Sequence, residues 1–234
     1  MVLVTERMAA AFSCQYAALP AEHFAVVPNG FDPAQLGAET RDAHVGWELL
    51  HAGALYYGRS LEPLLEAAAQ VIAVDPDFGR DFRLRLVGTL DATTRAELSR
   101  HRLGPRVQWC GQLDHASTIQ AMRSADALLL VANTTPGAKA TVPGKLFEYL
   151  GVGRPVLAVA PRESSTADVL NQTGGGWLAP AGDPAAIACV LREAFREHSR
   201  PADARQVARF DRRVLAGDLA RIFDQVSGGA ARRA

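Results

Sequence analysis

Residues 141–159 read TVPGKLFEYLGVGRPVLAV. A loop closes on Pro143-Gly144-Lys145, a short helix carries Glu148, and Gly153-Arg154-Pro155 breaks that helix into an apolar strand. The free N–H groups and positive dipole end of a helix starting near Pro143-Gly144 favour an anion. Lys145 adds a point charge, and Glu148, three residues on, projects from the same side of the helix. Backbone donors, one ammonium and one carboxylate within two turns suit a diphosphate and a ribose. The same two side chains also suit a plain i,i+3 surface pair. Lys139 and Lys145 are the two lysines among 25 basic residues, so a lysine in this loop carries weight in an arginine-rich chain.

Outward from that segment, short apolar runs alternate with helical patterns. Strands are predicted at Leu49–Gly53, Phe82–Gly88, Arg106–Cys110, Ala127–Ala132, Pro155–Ala160 and Gly176–Leu178. Helices are predicted at Leu61–Val74, Thr93–His101, His115–Ser124, Lys145–Gly151 and Ser165–Asn171, then Asp183–Glu197 and Ala202–Val226. Such alternation predicts an α/β fold, a Rossmann-like parallel sheet of about six strands with helices on both faces. The continuously apolar Ala127–Val131 reads as a strand buried on both sides. The tail 228–234 is expected to fray.

The first 44 residues behave differently. Val2-Leu3-Val4 reads as a strand and Glu6–Ala18 as a helix, followed by a turn signal in Ala25–Asp32 and a polar stretch to His44. A lone strand is unstable in water. It must join the main sheet, pair with another chain or belong to an absent domain, and the last is the preferred reading. The predicted division is 1–44 as a domain remnant and hinge, 45–200 as the Rossmann-like domain, and 201–234 as a terminal crossing helix and tail.

Composition bounds the function. Apolar residues make up 48% and charged residues 21% of 234 positions, the profile of a soluble globular chain. Net charge is zero, so bulk electrostatics offer nothing to nucleic acid. From Val190 onward ten Arg face six Asp and Glu. That excess reads first as a solvated helix face and second as a peripheral contact with anionic lipid. Cys14, Cys110 and Cys189 show no metal spacing and fit reduced thiols in a cytoplasm. The apolar runs are too short to span a bilayer, and charges at Glu6 and Arg7 argue against a signal peptide.

The carboxyl ends of the strands are where an open parallel sheet binds ligands. Four loops there carry candidate chemistry. In Gly53–Arg59, Gly53 permits close backbone approach and Arg59 is placed to fork onto a phosphate, or is an exposed turn residue. Gly88 follows Leu84–Val87. Gly111-Gln112-Leu113 follows Val107–Cys110, where a flat heterocycle would lie against backbone. The ten residues Asn133–Val142 form a long βα connection, and such loops are more often functional. A P-loop is excluded, because Lys139 stands where glycine is required and Leu146 follows Lys145. A dinucleotide fingerprint is excluded because Val156 stands at its third glycine. No Ser-His-Asp arrangement is legible, and the six histidines are scattered.

With these residues in place, the chain resembles the C-terminal, donor-binding half of a GT-B glycosyltransferase, most similar to glycosyltransferase family 4. The resemblance runs from about Thr5 to Val226 and rests on VVPNGFD (Val26–Asp32), GALYYGRSLEPLLEA (Gly53–Ala67), VQWCGQL (Val107–Leu113) and PGKLFEYLGVGRPVLAV (Pro143–Val159). It implies a nucleotide-diphosphate sugar as donor, retention in glycosyl transfer, and an acceptor domain missing from this chain or supplied by a partner. It implies that Arg59 and Lys145 hold the diphosphate and stabilise the departing nucleotide with neither metal nor other cofactor. Glu148 matches the second acid of the family's Glu-x7-Glu pattern, which takes the ribose. The first acid falls on Ala140, a departure that removes one sugar contact. Thr141, Val142, Pro143, Gly144 and Leu146 would offer backbone to sugar or phosphate, Gln112 and Leu113 would flank the base, and Gly53, Gly88 and Gly111 would admit the ligand. A non-catalytic Rossmann-like interaction module and half of a nucleotide-sugar epimerase are the alternative readings.

Overall fold

The computed structural model describes residues 1–37, 42–56 and 58–231. Tyr57 of the Gly53–Ala67 motif, residues 38–41 of the polar stretch before His44, and residues 232–234 of the tail lie outside the described residues.

The chain opens with β1 (Val2–Leu3), α1 (Glu6–Gln15) and β2 (Ala25–Val26). β1 and β2 pair in parallel as a separate two-stranded sheet. This corrects the expectation that the first strand has no neighbour. Ala25–Val26 is too short for any periodicity to reveal it, and it becomes a strand through the bonds Ala25 N–H to Met1 O and Val27 N–H to Leu3 O.

From Trp47 the chain alternates: β3 (Trp47–Ala52), α2 (Glu62–Val74), α3 (Pro76–Asp81), β4 (Phe82–Val87), α4 (Ala92–His101), β5 (Val107–Trp109), α5 (His115–Ser124), β6 (Ala127–Val131), α6 (Gly144–Val152), β7 (Val156–Ala160), α7 (Ser165–Thr173) and β8 (Gly176–Pro180). All six strands are parallel, in the order β5-β4-β3-β6-β7-β8. Chain order thus runs outward from β3 to one edge and from β6 to the other. The six strands and the layering match the predicted α/β class. The helix α3 is an addition, although its signal was present: Asp75 accepts from Phe78 N and Pro76 opens the turn, as Asp183-Pro184 does for α8 (Pro184–Glu197).

Alternation along each central strand divides the core in two. Trp47 and Leu49 of β3 with Leu129 and Val131 of β6 face α2 and α8. Leu50 and Ala52 with Leu128 and Leu130 face α5 and α6. Both strands are buried on both sides, hence the unbroken apolar sequence of β6, while β3 carries Glu48 and His51 among its apolar residues.

The predicted helix 202–226 is two helices, α9 (Ala204–Ala208) and α10 (Arg212–Ala231). Between them Phe210 is buried against Phe147. Its carbonyl accepts from Phe31 N, while Arg212 N donates to Phe31 O. This backbone bridge, from Gly30-Phe31 to Phe210-Asp211, overrides the helical pattern. It also explains Gly30 in the Val26–Asp32 motif: a Cβ there would lie 2.1 Å from Phe210 O. Helix α10 continues through Ala231, beyond the start of the expected fraying.

Candidate donor site

β3 and β6 are adjacent in the sheet but lead to opposite edges, which makes the gap above their carboxyl ends a topological switch point. A cleft of about 230 Å³ opens there. Its walls are His51 and Ala52 at the end of β3, Gly53, Ala54, Tyr56 and Arg59 after it, Leu130 and Val131 of β6, and Pro143–Lys145 at the start of α6.

Three sources of positive potential meet in this cleft. The first turn of α6 begins at Pro143 with no side-chain cap. By contrast α4, α5, α7 and α8 are each capped by an Asp or Ser side chain accepting from a backbone N–H. The second source is Arg59, whose guanidinium lies 5.3 Å from the Tyr56 ring and makes one long bond of 3.4 Å to Ala54 O. Its buried Nε has no partner. The third is Lys145, whose Nζ donates to Glu148 Oε2 at 3.0 Å. Glu148 is not itself part of the cleft wall; its carboxylate reaches the site beside Lys145. Both side chains are about one-third exposed, at 37% and 34%, so solvent screens the pair and leaves it worth at most about 1 kcal/mol.

Buried polar bonds hold the cleft in shape. Tyr149, one residue beyond Glu148, is fully buried. Its hydroxyl accepts from Ala52 N at 2.9 Å and donates to Ala52 O at 3.2 Å, and burial pushes its pKa up. The bond ties α6 to the end of β3. His51, only 4% exposed, bonds through Nδ1 to Leu129 O at 3.0 Å. A carbonyl only accepts, so Nδ1 carries the proton and Nε2 presents a lone pair. Burial, opposed by the Leu129 bond and reinforced by Arg59 and Lys145, pushes the imidazole pKa down to about 4.

The three loop glycines form a continuous shelf. Gly53 N donates to Val87 O, and Gly88 N to Gly111 O at 2.7 Å. Gly88 has φ +123°, and a Cβ on it would fall 2.2 Å from Gly53 O. Trp109 Nε1 donates to Gly88 O at 2.9 Å, and Gln112 Nε2 to Thr89 Oγ1 at 3.1 Å. Gln112 thus stands at the β5 end of the shelf, beside Gly111.

The side chains of the remaining expected residues lie outside the cleft lining. Leu146 is wholly buried in the core and Val142 lines another cavity, so neither side chain is offered to a ligand in the cleft. Both belong to the apolar stripe by which α6 and its approach pack against the sheet. Leu113 faces a groove beside α5. Thr141 is exposed and its hydroxyl bonds Ala138 O. Ala140 ends a 3-10 turn, Pro136–Ala140, and its carbonyl accepts from Thr5 Oγ1 at 2.6 Å. The N-terminal segment is thereby tied to the loop over the site. The sequence reading missed His51, Tyr56 and Tyr149. A histidine two residues before Gly53, inside an apolar strand, was the available signal.

The larger cavity into which Val142 faces, about 420 Å³, lies between the N-terminal segment, α7 and α10. Val4, Val26, Phe147 and Leu215 give it apolar walls, and it shares no lining residue with the cleft. Among the described residues, no group of three or more His, Cys, Asp or Glu could hold a metal ion, and no helix is long and apolar enough to cross a membrane.

Comparison with known proteins bears on this cleft. Residues 47–197 match the family described as Glycosyl transferases group 1. The chain is 31% identical over 215 residues to a phosphatidyl-myo-inositol mannosyltransferase of Mycobacterium leprae, across 86% of this chain and 53% of that protein. It is 27% identical over 176 residues to the amylovoran biosynthesis glycosyltransferase AmsK of Erwinia amylovora, across 74% of this chain and 42% of that one. The crystal structure of Anabaena Alr3699/HepE in complex with UDP superposes with a TM-score of 0.74 at 18% identity, covering 96% of this chain and 63% of that one. The chain therefore spans about half the length of the curated relatives it matches.

Proposed function

The chain belongs to the glycosyl transferases group 1, and on that premise we propose that the cleft between β3, β6 and α6 binds the nucleotide diphosphate of a sugar donor for glycosyl transfer. The observation that carries this reading is the convergence of Arg59, Lys145 and the uncapped start of α6 on one cleft at the switch point. A diphosphate brings several anionic oxygens to a place where helix amides and two cations are already fixed. Glu148, released from Lys145, accepts from the ribose. The base lies toward Gly111-Gln112, along the glycine shelf. The UDP held by the Anabaena protein supports the ligand class.

On the family resemblance, the reading extends to retention at the anomeric carbon and to charge neutralisation by Arg59 and Lys145 in place of a metal. Names of the relatives place them on phosphatidyl-myo-inositol and in amylovoran biosynthesis; what carries over is the shared step, glycosyl transfer. Acceptor recognition then falls to chain or partner outside these 234 residues. The epimerase alternative needs acids in the cleft, and its lining residues include no Asp or Glu.

Calorimetry with UDP, GDP and ADP tests the assignment. One of the three binds the wild-type chain, and Glu148→Ala weakens it about 5- to 10-fold, the loss of a charged acceptor partly offset by the freed Lys145. Equal binding by both proteins, or none by either, removes the site and favours a nucleotide-independent interaction module.

A further inference from the structure

His51 lines the cleft, is 96% buried by its 4% exposure, and its Nε2 has no hydrogen-bond partner. A buried polar atom left without a partner is costly, and this one is held in place by the bond from Nδ1 to Leu129 O at 3.0 Å. That bond fixes the tautomer, so Nε2 is an acceptor. Its position relative to the cations is known. A Cβ built on Gly53 would sit 3.8 Å from His51 Nε2 and 3.4 Å from Lys145 Cε, so lone pair and ammonium stem flank the same glycine face.

We infer that His51 Nε2 accepts a hydrogen bond from a hydroxyl of the transferred sugar. The inference rests on the donor-site reading above and names what lies beyond the diphosphate. Chemistry narrows the ligand group. Phosphate oxygens at neutral pH carry lone pairs and no proton, so they are repelled by a neutral Nε2 and drawn to Arg59 and Lys145. A group that satisfies Nε2 must donate. On a nucleotide-diphosphate sugar the donors next to the diphosphate are hydroxyls of the ribose and of the sugar. The ribose is matched by the family resemblance to Glu148, which lies outside the cleft wall. The sugar remains. The imidazole stays neutral through the physiological range because its pKa is pushed down to about 4, which keeps the lone pair available. Where the family pattern has an acid and this chain has Ala140, His51 supplies a sugar acceptor from the strand end instead.

The test compares each of UDP, GDP and ADP with its glucose or mannose ester on wild type, His51→Asn and His51→Gln. Asparagine retains a donor near the Nδ1 position for Leu129 O and deletes the Nε2 acceptor, whereas glutamine places its amide oxygen near Nε2. The expected result is that His51→Asn lowers affinity for the nucleotide sugar about 5- to 10-fold, leaves the parent diphosphate within 2-fold, and that His51→Gln recovers part of the loss. Independently of any variant's folding, the 15N resonance of His51 Nε2 in the wild-type chain should move upfield with nucleotide sugar and stay in place with the diphosphate. Equal losses for sugar and diphosphate, no loss for either, or a resonance that ignores the sugar overturns the assignment to His51. Absence of diphosphate binding by the wild type overturns the donor site itself, and His51 with it.

Discussion

Replacing Gly88 by alanine should lower stability by about 4 kcal/mol and the melting temperature by roughly 10 °C. Two independent causes add. Gly88 holds φ +123°, a region L side chains rarely adopt. Its Cβ would also lie 2.2 Å from Gly53 O and 2.7 Å from Gly53 C. Those are backbone atoms, fixed by the bond from Gly53 N to Val87 O at 2.8 Å, and cannot swing aside as a flexible side chain would. Relief requires the ends of β3 and β4 to part, which removes the shelf as well as the stability. Gly111→Ala is the control. It shares a positive φ, +70°, but its Cβ would meet nothing within 4 Å, so its cost is left-handed strain alone, about 1–2 kcal/mol. Thermal melts of the two variants check the difference. Equal losses would mean that the close approach of Gly53 and Gly88 contributes nothing.

Removing both cleft cations, Arg59→Ala with Lys145→Ala, should reduce affinity for the preferred nucleoside diphosphate by roughly 10²–10⁴-fold. Each cation contributes a charge-assisted hydrogen bond worth about 1.5–3 kcal/mol, and each factor of ten is about 1.4 kcal/mol. The fold should tolerate the change. Lys145 gives up one screened pair with Glu148, and Arg59 gives up one 3.4 Å bond and a ring contact. Calorimetry read beside a melting curve separates the two effects. Binding within threefold of wild type, from a folded variant, would place the phosphates elsewhere.

Much of this architecture was legible because local and tertiary preferences agree. Ala127–Val131 reads as a doubly buried strand and is one. Asp91, Asp114, Ser164 and Asp183 cap the starts of α4, α5, α7 and α8, so local and tertiary preferences coincide at those helix ends. What stayed hidden depends on long-range partners. Ala25–Val26 is a strand only against Val2–Leu3. The split between α9 and α10 is imposed by Phe31, some 180 positions away in sequence, through bonds a helical periodicity does not register. The site divides in the same manner. Loop and helix-start residues such as Gly53, Arg59, Gly144 and Lys145 betray themselves by type and position. Val142 and Leu146 could be placed in the core only once the rotation of α6 was known. His51 was obscured because a histidine inside an apolar strand usually means a satisfied core residue; here one ring nitrogen is satisfied and the other is not.

The most direct test is a titration of the 15N-labelled chain with its preferred nucleoside diphosphate, followed by backbone amide resonances. The account predicts saturable shifts at Gly53, Gly144 and Lys145, with Val26 and Val169 of the larger cavity unmoved. Shifts confined to Val26, Val169 and their neighbours, or no saturable shift at Gly144 and Lys145, would contradict it.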